Sequence, residues 1–279
     1  MILNKEQIFQ FNEEGYLVLE NLFSEDEILN MQLESVRILE LIINSSLYHH
    51  RTSGRLDLRQ SQTGLQSIRK IQPVNDLSLF FSKICSEARF MQPLSQLMGE
   101  KPVLMEEKLN YKQTFSQKLD LTAKGETTNF PVHSDYAYYK HNHYPKNIIS
   151  SALTLDASTK ENGPLRIWPG SHTKEHQHEQ GHNGYEVVSG SVDYDSGQDI
   201  IVPAGTLIFF HSMLVHSSRA NDTDSPRRIM IYSHYPESAK LGHDIRNGPL
   251  RLKEAPWEWQ YIYEKLLKGV DDNFSVTLV

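Results

Sequence analysis

Asn129-Phe130-Pro131-Val132-His133-Ser134-Asp135-Tyr136 is the stretch on which the reading of the chain turns. His133 and Asp135 are one residue apart, so on an extended strand both side chains leave the same face. A third imidazole on a distant, paired strand, that of Val215-His216, completes two nitrogens and one carboxylate on one side of a metal. Such a set leaves the opposite coordination positions open, as in sites that hold non-haem Fe(II) for oxygen chemistry. Alone the tripeptide carries little weight, because a chain with 13 histidines offers roughly one His-x-Asp by chance. Its weight comes from its surroundings.

Those surroundings are short strands. Past Pro102, apolar runs recur between Gly, Pro, Asn and Asp at 103–111, 130–136, 147–155, 165–168, 185–188, 199–202, 206–211 and 228–234. Eight such runs with no helical pattern between them describe an all-β sandwich or barrel. His133 falls on the second run, where Pro131 is tolerated near a strand start. His216 follows the apolar run that ends at His211, and Arg227 opens the last run, Ile229-Met230-Ile231-Tyr232. A guanidinium placed there, beside a metal, is shaped to grip a carboxylate bidentately. Ser218 offers a hydroxyl to the same carboxylate.

Ahead of the strands the periodicity is helical. Residues 4–14 predict a short helix capped by Asn4, with Ile8 and Phe11 on its apolar face. Gly15 ends it, and 16–19 is strand-like. Ser24 and Glu27 form a capping box that opens a long helix from Glu25 to about Ile43. Residues 45–75 are polar and irregular, with Arg51, Arg55, Arg59, Arg69 and Lys70 scattered through them. They read as a solvated loop, the alternative being a lid over an active-site mouth. Asp76 is expected to cap a second long helix to Met98, which Gly99 stops. A last helix, about 255–268, carries Trp257, Trp259, Tyr261 and Tyr263, read as packing residues. The chain, 1–279, is expected to be one domain: a helical front 1–100, a β core about 101–240 and the C-terminal helix.

Composition narrows the function. The 279 residues are 38% hydrophobic and 23% charged, an ordinary globular balance. A net charge of −7, without runs of Lys and Arg, argues against nucleic acid as partner. The one cysteine, Cys85, forms no internal disulfide and reads as a small core residue, which fits a reducing compartment. No basic, apolar leader opens the sequence and no run reaches the length of a membrane span. A cytoplasmic protein with a small-molecule substrate is expected, its oligomeric state unassigned.

One family resemblance gathers these pieces. His-x-Asp is followed in order by Glu161-Asn162-Gly163-Pro164-Leu165, Trp168-Pro169-Gly170-Ser171-His172, Pro203-Ala204-Gly205-Thr206, Val215-His216-x-Ser218-x-x-Asn221 and Arg227. The series, with an opening Phe-x-x-x-Gly-Tyr-Leu-Val-Leu, resembles the phytanoyl-CoA dioxygenase (PhyH-like) family over about residues 8–235. The resemblance implies a mainly β fold with packed helices, a double-stranded β-helix (jelly-roll, cupin-like) core behind N-terminal helices. It implies an Fe(II)- and 2-oxoglutarate-dependent oxygenase that consumes O2, with His133, Asp135 and His216 as iron ligands. Arg227, assisted by Ser218, would hold the distal carboxylate of 2-oxoglutarate, and a register slip of one would exchange Arg227 with Arg228. Lys112 matches a position where relatives place a cosubstrate contact. Halogenating relatives replace the carboxylate by a small residue; Asp135 therefore implies hydroxylation or another oxidation.

The other histidines read differently. His172 closes a turn and is structural. His176, His178 and His182 lie in a polar loop without a tetrahedral ligand pattern and read as solvated. His141 and His143 are left open between substrate-facing and surface. Pocket residues taken from strand faces are Lys108, Asn110, Tyr136, Tyr138 and Trp168. The expected reaction is hydroxylation of a C–H bond in a small polar metabolite in natural-product tailoring, with a cationic, guanidine-bearing molecule as the specific guess. An acyl-CoA hydroxylase and an inert metal-binding β-barrel module are the alternatives.

Overall fold

The computed structural model describes residues 2–241 and 249–276. In chain order these hold α1 (Lys5–Glu14), β1 (Tyr16–Leu19), α2 (Glu25–Tyr48), β2 (Leu56–Gln60), β3 (Gln66–Ile71), α3 (Leu79–Ile84), α4 (Ala88–Met98), β4 (Pro102–Thr114) and β5 (Phe130–His133). A one-turn helix α5 (Tyr136–Tyr139) precedes β6 (Ile149–Thr154), β7 (Leu165–Ile167), β8 (His178–Gly181) and β9 (Gly184–Val187). Then come β10 (Gln198–Ile200), β11 (Leu207–His211), β12 (His216–Ser218), β13 (Ile229–Pro236) and α6 (Pro249–Lys268). The major sheet runs β1-β11-β6-β13-β4-β3-β2, the minor sheet β10-β7-β12-β5, and β8-β9 form a separate ribbon. Both main sheets are open at their edges, a jelly-roll core with no closed barrel.

Strand alternation sorts the major sheet into two faces. Leu109, Tyr111, Leu153, Phe209, Met230 and Tyr232 point outward and pack with Ile38, Leu39, Ile42 and Phe90 from α2 and α4. Ala152, Ile208, Phe210, Ile229 and Ile231 point inward and meet Ile167 and Ile200 of the minor sheet. The inner faces of β4, β5 and β12 are polar instead. There the two sheets enclose a cavity rather than a sealed core.

Several expectations are corrected. The polar stretch 45–75 is neither a solvated loop nor a lid: α2 continues to Tyr48, and β2 and β3 pair as a hairpin that adds to β4. Leu56, Leu58, Ile68 and Ile71 are fully buried, an alternation hidden among the arginines. The extra turns of α2 are polar yet buried because Asn44 donates to the carbonyl of Phe274 and accepts the amides of Asn273 and Phe274. With β1 at the other edge, the first hundred residues supply three strands of the major sheet and are not simply a helical front. Asp76 caps nothing; Arg55 grips it at 2.6 and 2.7 Å, and Ser78 caps α3. The single long helix is two, the second carrying Phe90 edge-on to Tyr232. In α6, Tyr261 is buried, whereas Trp257, Trp259 and Tyr263 are exposed.

Candidate metal centre and its two cavities

β5 and β12 pair antiparallel with His133 opposite His216, which brings the two ring centroids to 4.4 Å. The strand ends at His133. Asp135 is not on it but stands in helical conformation at the start of α5, pinned by the Tyr136 amide, which donates to the carbonyl of Ser212. The chain thus turns its carboxylate back toward the imidazoles, and Asp135 Oδ1 lies 3.8 Å from His133 Nε2 and 3.9 Å from His216 Nε2. One donor atom from each of the three residues lies within 4.8 Å of the others, and all three residues are buried.

The hydrogen bonds around this cluster fix which atoms face inward. His133 Nδ1 sits 2.7 Å from the carbonyl of Pro131, and His216 Nδ1 sits 2.9 Å from that of Leu214. A carbonyl only accepts, so each Nδ1 carries the proton and each Nε2 presents its lone pair to the centre. Burial and the neighbouring His216 push the His133 pKa far down, keeping the ring neutral. Burial alone would raise the Asp135 pKa, but Lys108 and the two imidazoles outweigh it and hold the carboxyl ionised. Ser150 donates to its other oxygen at 3.3 Å. The donor set is two imidazoles and one carboxylate, borderline and hard ligands suited to a divalent first-row metal.

Two cavities meet at the cluster, sharing Lys108, Phe130, His133 and Asp135 as wall. The first is mainly apolar, lined by Ala152, Leu165, Phe210, Ile229 and Ile231, and ends at Asn110, Ser218 and Arg227. Arg227 is buried, donates through Nη2 to the carbonyl of Gly163, and has no partner at Nε. No carboxylate among the described residues forms an ion pair with it, and burial lowers its pKa to about 10. Arg228 is already paired, bidentately with Asp156 at 2.7 and 2.8 Å. Of the two adjacent arginines, only Arg227 faces the cavity with its charge unspent.

Lys112 is not on the cavity wall. It sits behind Ser218, donating to its Oγ at 2.8 Å and to the carbonyls of Gly163 and Arg219. The second cavity is polar, about 200 Å³, and lined by Asp57, Arg69, Lys70, Glu106 and Tyr138 among others. Lys108 and Asn110 reach the cavities from alternate positions of β4, and Tyr138 reaches the second from helix α5. Tyr136 and Trp168 line neither. Tyr136 packs beside Val103, Tyr139 and Tyr235, because α5 has turned it away. Trp168 is buried against Val187 and Val215 and donates Nε1–H to the carbonyl of Asp193 at 2.8 Å.

Among the other histidines, His172 is structural, packing on the turn at Gly15 with Nε2 near the Asn12 carbonyl. His141 stacks on Tyr185. His176 and His178 are not solvated: His176 is buried, and His178 Nε2 accepts the amide of Ser134 at 3.0 Å. Sequence reasoning missed Asp57, Arg69, Lys70, Ser150 and His178. For the first three a signal exists, since two alternating runs flank Ser61-Gln62-Thr63-Gly64, a hairpin pattern. For His178 there is none, because its partner is a peptide amide 44 positions away.

A jelly-roll core that buries two imidazoles and a carboxylate beside an unspent arginine defines the iron- and 2-oxoglutarate-dependent oxygenases. The chain belongs to the phytanoyl-CoA dioxygenase (PhyH) family, whose pattern matches residues 11–229. It is similar to the ectoine dioxygenase of Stutzerimonas stutzeri, 25% identical over 81% of this chain and 75% of that one. It is as similar to the peroxisomal phytanoyl-CoA dioxygenase of Rattus norvegicus, 25% identical over 85% of this chain and 69% of that one. The fold is that of EctD from S. alaskensis, solved with 2-oxoglutarate and 5-hydroxyectoine (TM-score 0.62, 23% identity, 86% of this chain and 78% of that one). It is also that of EvdO2 from Micromonospora carbonacea, complexed with 2-oxoglutarate (TM-score 0.63, 16% identity, 85% and 92%). The protein is a dioxygenase whose cofactor is iron and whose cosubstrates are 2-oxoglutarate and O2. No helix among the described residues is long and apolar enough to cross a membrane.

Proposed function

We propose that this chain hydroxylates a C–H bond of a small polar metabolite, with His133, Asp135 and His216 as the iron ligands. Bound there, iron supplies the oxidising chemistry, drawing on O2 and the decarboxylation of 2-oxoglutarate to succinate. The carrying observation is the buried Arg227, which lines the same cavity as the three ligands and has an unpartnered Nε. A buried cation without a carboxylate is costly unless something anionic arrives. A dicarboxylate with one end at the ligand cluster and the other on Arg227 and the Ser218 hydroxyl meets that need.

The remaining residues position and exclude. The Nδ1–H bonds to Pro131 and Leu214 hold both imidazoles aimed at the centre. Lys112 holds Ser218 from behind, and Ala152, Phe210, Ile229 and Ile231 keep water from the cosubstrate's chain. The substrate enters the polar chamber, with Lys108 and Tyr138 on its wall. Asp135 fills the position that halogenation needs vacant, which speaks against a halogenase. The chamber's modest size favours a small metabolite in natural-product tailoring over an acyl-CoA. The single buried Cys85 fits a cytoplasmic enzyme.

The test is succinate release from 2-oxoglutarate by the iron-loaded protein in air, beside binding of 2-oxoglutarate without O2. Wild type should bind and turn over, Arg227→Ala should lose both, and Asp135→Ala should bind no iron. Wild-type protein that neither binds 2-oxoglutarate nor forms succinate overturns the reading and leaves an inert metal-binding module.

A further inference from the structure

Two cations on the wall of the polar chamber, Arg69 and Lys70, have no carboxylate of their own among the described residues. β3 is bulged at Arg69: Asp57 and Leu58 of β2 are consecutive but pair with Lys70 and Ile68, leaving Arg69 over. A bulge re-aims side chains that strict alternation would send to opposite faces, and here Arg69 and Lys70 both line the chamber. On β4 the matching irregularity lies between the partners of Ile68 and Lys70, where Lys112 takes a positive φ of 46°.

The cations are poorly balanced. Asp57 is engaged bidentately by Arg59 at 2.7 and 3.0 Å, so Arg69 reaches only its edge at 3.4 Å. The Arg69 guanidinium lies 3.9 Å over the Phe130 ring, which fixes its plane, and its Nε has no partner. Lys70 donates to the neutral amide of Gln72 at 2.9 Å. Lys108 lies 3.6 Å from Glu106, which also accepts from Tyr139 and Gln72. Arg69 and Lys70 thus border about 200 Å³ of space that reaches His133 and Asp135, with only the edge of Asp57 and a neutral amide as their partners among the described residues.

Resting on the reading of the site given above, we infer that the substrate is an oxyanion, a small organic acid or phosphate monoester, whose anionic group is held by Arg69 and Lys70. This reverses the cationic metabolite expected from the sequence. Burial, and Lys108 next, lower the Lys70 pKa to about 8, with Glu106 and Asp57 opposing and Arg69 adding to the repulsion; an arriving anion relieves that repulsion. The planar fork of Arg69, already stacked, suits two oxygens of one acidic group.

The experiment uses protein loaded with Fe(II) and 2-oxoglutarate in the absence of O2, titrated with acetate and with inorganic phosphate. Paramagnetic iron broadens the 1H line of acetate or the 31P line of phosphate only when the anion sits close to it. Saturable broadening by at least one of them is expected; preference for acetate assigns an organic acid and preference for phosphate a phosphate monoester. Replacing both cations, Arg69→Gln with Lys70→Gln, should raise the half-saturating concentration about tenfold or more and leave 2-oxoglutarate affinity unchanged. Lys83→Gln, on the exposed side of α3, should change neither. Absence of saturable broadening in wild type, or broadening that ignores the double substitution, overturns the inference. Failure of 2-oxoglutarate itself to bind would instead sink the proposed function.

Discussion

The amide of Ser134 donates to Nε2 of His178 at 3.0 Å, while Nδ1 of His178 lies 2.9 Å from the carbonyl of His176. Burial lowers the His178 pKa, so the ring is neutral, gives its proton to His176 and keeps an acceptor for Ser134. Ser134 lies between His133 and Asp135, the proposed iron ligands, and its peptide joins strand β5 to helix α5. His178→Ala should therefore weaken Fe(II) affinity about tenfold, the usual scale for groups that orient ligands without touching the metal. His178→Gln, which retains an acceptor, should recover part of it, and His182→Ala on the exposed neighbouring turn should do nothing. Unchanged Fe(II) titrations in His178→Ala would mean that the tether is idle.

Arg227 and Arg228 are adjacent in sequence and opposite in consequence. Arg228→Ala leaves Asp156 uncompensated beneath α2, and should cost about 3 kcal/mol or more in urea unfolding with little effect on the KM for 2-oxoglutarate. Arg227→Ala removes a buried cation that has no carboxylate partner among the described residues, so its stability should be unchanged or higher. Its KM for 2-oxoglutarate should rise by about two orders of magnitude, in keeping with loss of a charge-assisted, bidentate contact. The reverse pattern would assign the cosubstrate to Arg228.

How much of this was legible depends on the range of the forces involved. The caps at Asn4 and Ser24, the stop at Gly15 and the strands β4, β6, β11 and β13 follow from periods and end signals within a few residues. Alternation favoured Arg227 over Arg228 but left a register slip open, and the pairing of Arg228 with Asp156, 72 positions away, is not legible in a local window. Asp135 does lie with the two imidazoles, but not for the reason read from the sequence: the pair was read on one strand, and a helical turn brings the carboxylate round. The hairpin β2–β3 was lost because its inward charges, Asp57, Arg59, Arg69 and Lys70, mimic a solvated loop; they are buried by pairing with one another and with β4, which no local window contains. Trp168 was misplaced because a buried indole finds its acceptor, the Asp193 carbonyl, in a loop 25 positions away.

Acid should unfold the protein through histidines remote from the iron. His234 is buried beside Phe90, and burial lowers its pKa to about 3; burial and His172 bring His211 to about 4. Their folded pKa values lie below the unfolded value near 6.5, so the unfolded chain takes up protons first. The stability they contribute is present above about pH 6.5 and is lost as pH falls toward 4 and 3. Each group adds a slope of about 1.4 kcal/mol per pH unit in that window. Unfolding free energies from urea titrations at pH 7 and pH 5 should differ by about 2 kcal/mol for His234 alone. His234→Gln should reduce the difference by that amount; an unaltered slope would place the acid sensitivity elsewhere.

Gly163 joins the turn before β7 to the cosubstrate end of the cavity. Its φ is 70°, and a Cβ there would run into the carbonyls of Arg219 and Ala220. Its own carbonyl accepts from both Lys112 and Arg227. The turn is held by Asn162, whose side chain accepts the Thr159 amide at 2.9 Å and donates to the carbonyl of Ala157 at 2.8 Å. Gly163→Ala must shift backbone, because neither contact is the end of a flexible side chain, and should cost about 2 kcal/mol of stability. The shift moves the acceptor that aims the Arg227 guanidinium, so the KM for 2-oxoglutarate should rise while Fe(II) affinity, set on β5, α5 and β12, stays near wild type. Asn162→Ala should loosen the same turn with a smaller rise. If Gly163→Ala lowers Fe(II) affinity and leaves the KM for 2-oxoglutarate untouched, then Gly163 serves the metal ligands and not Arg227.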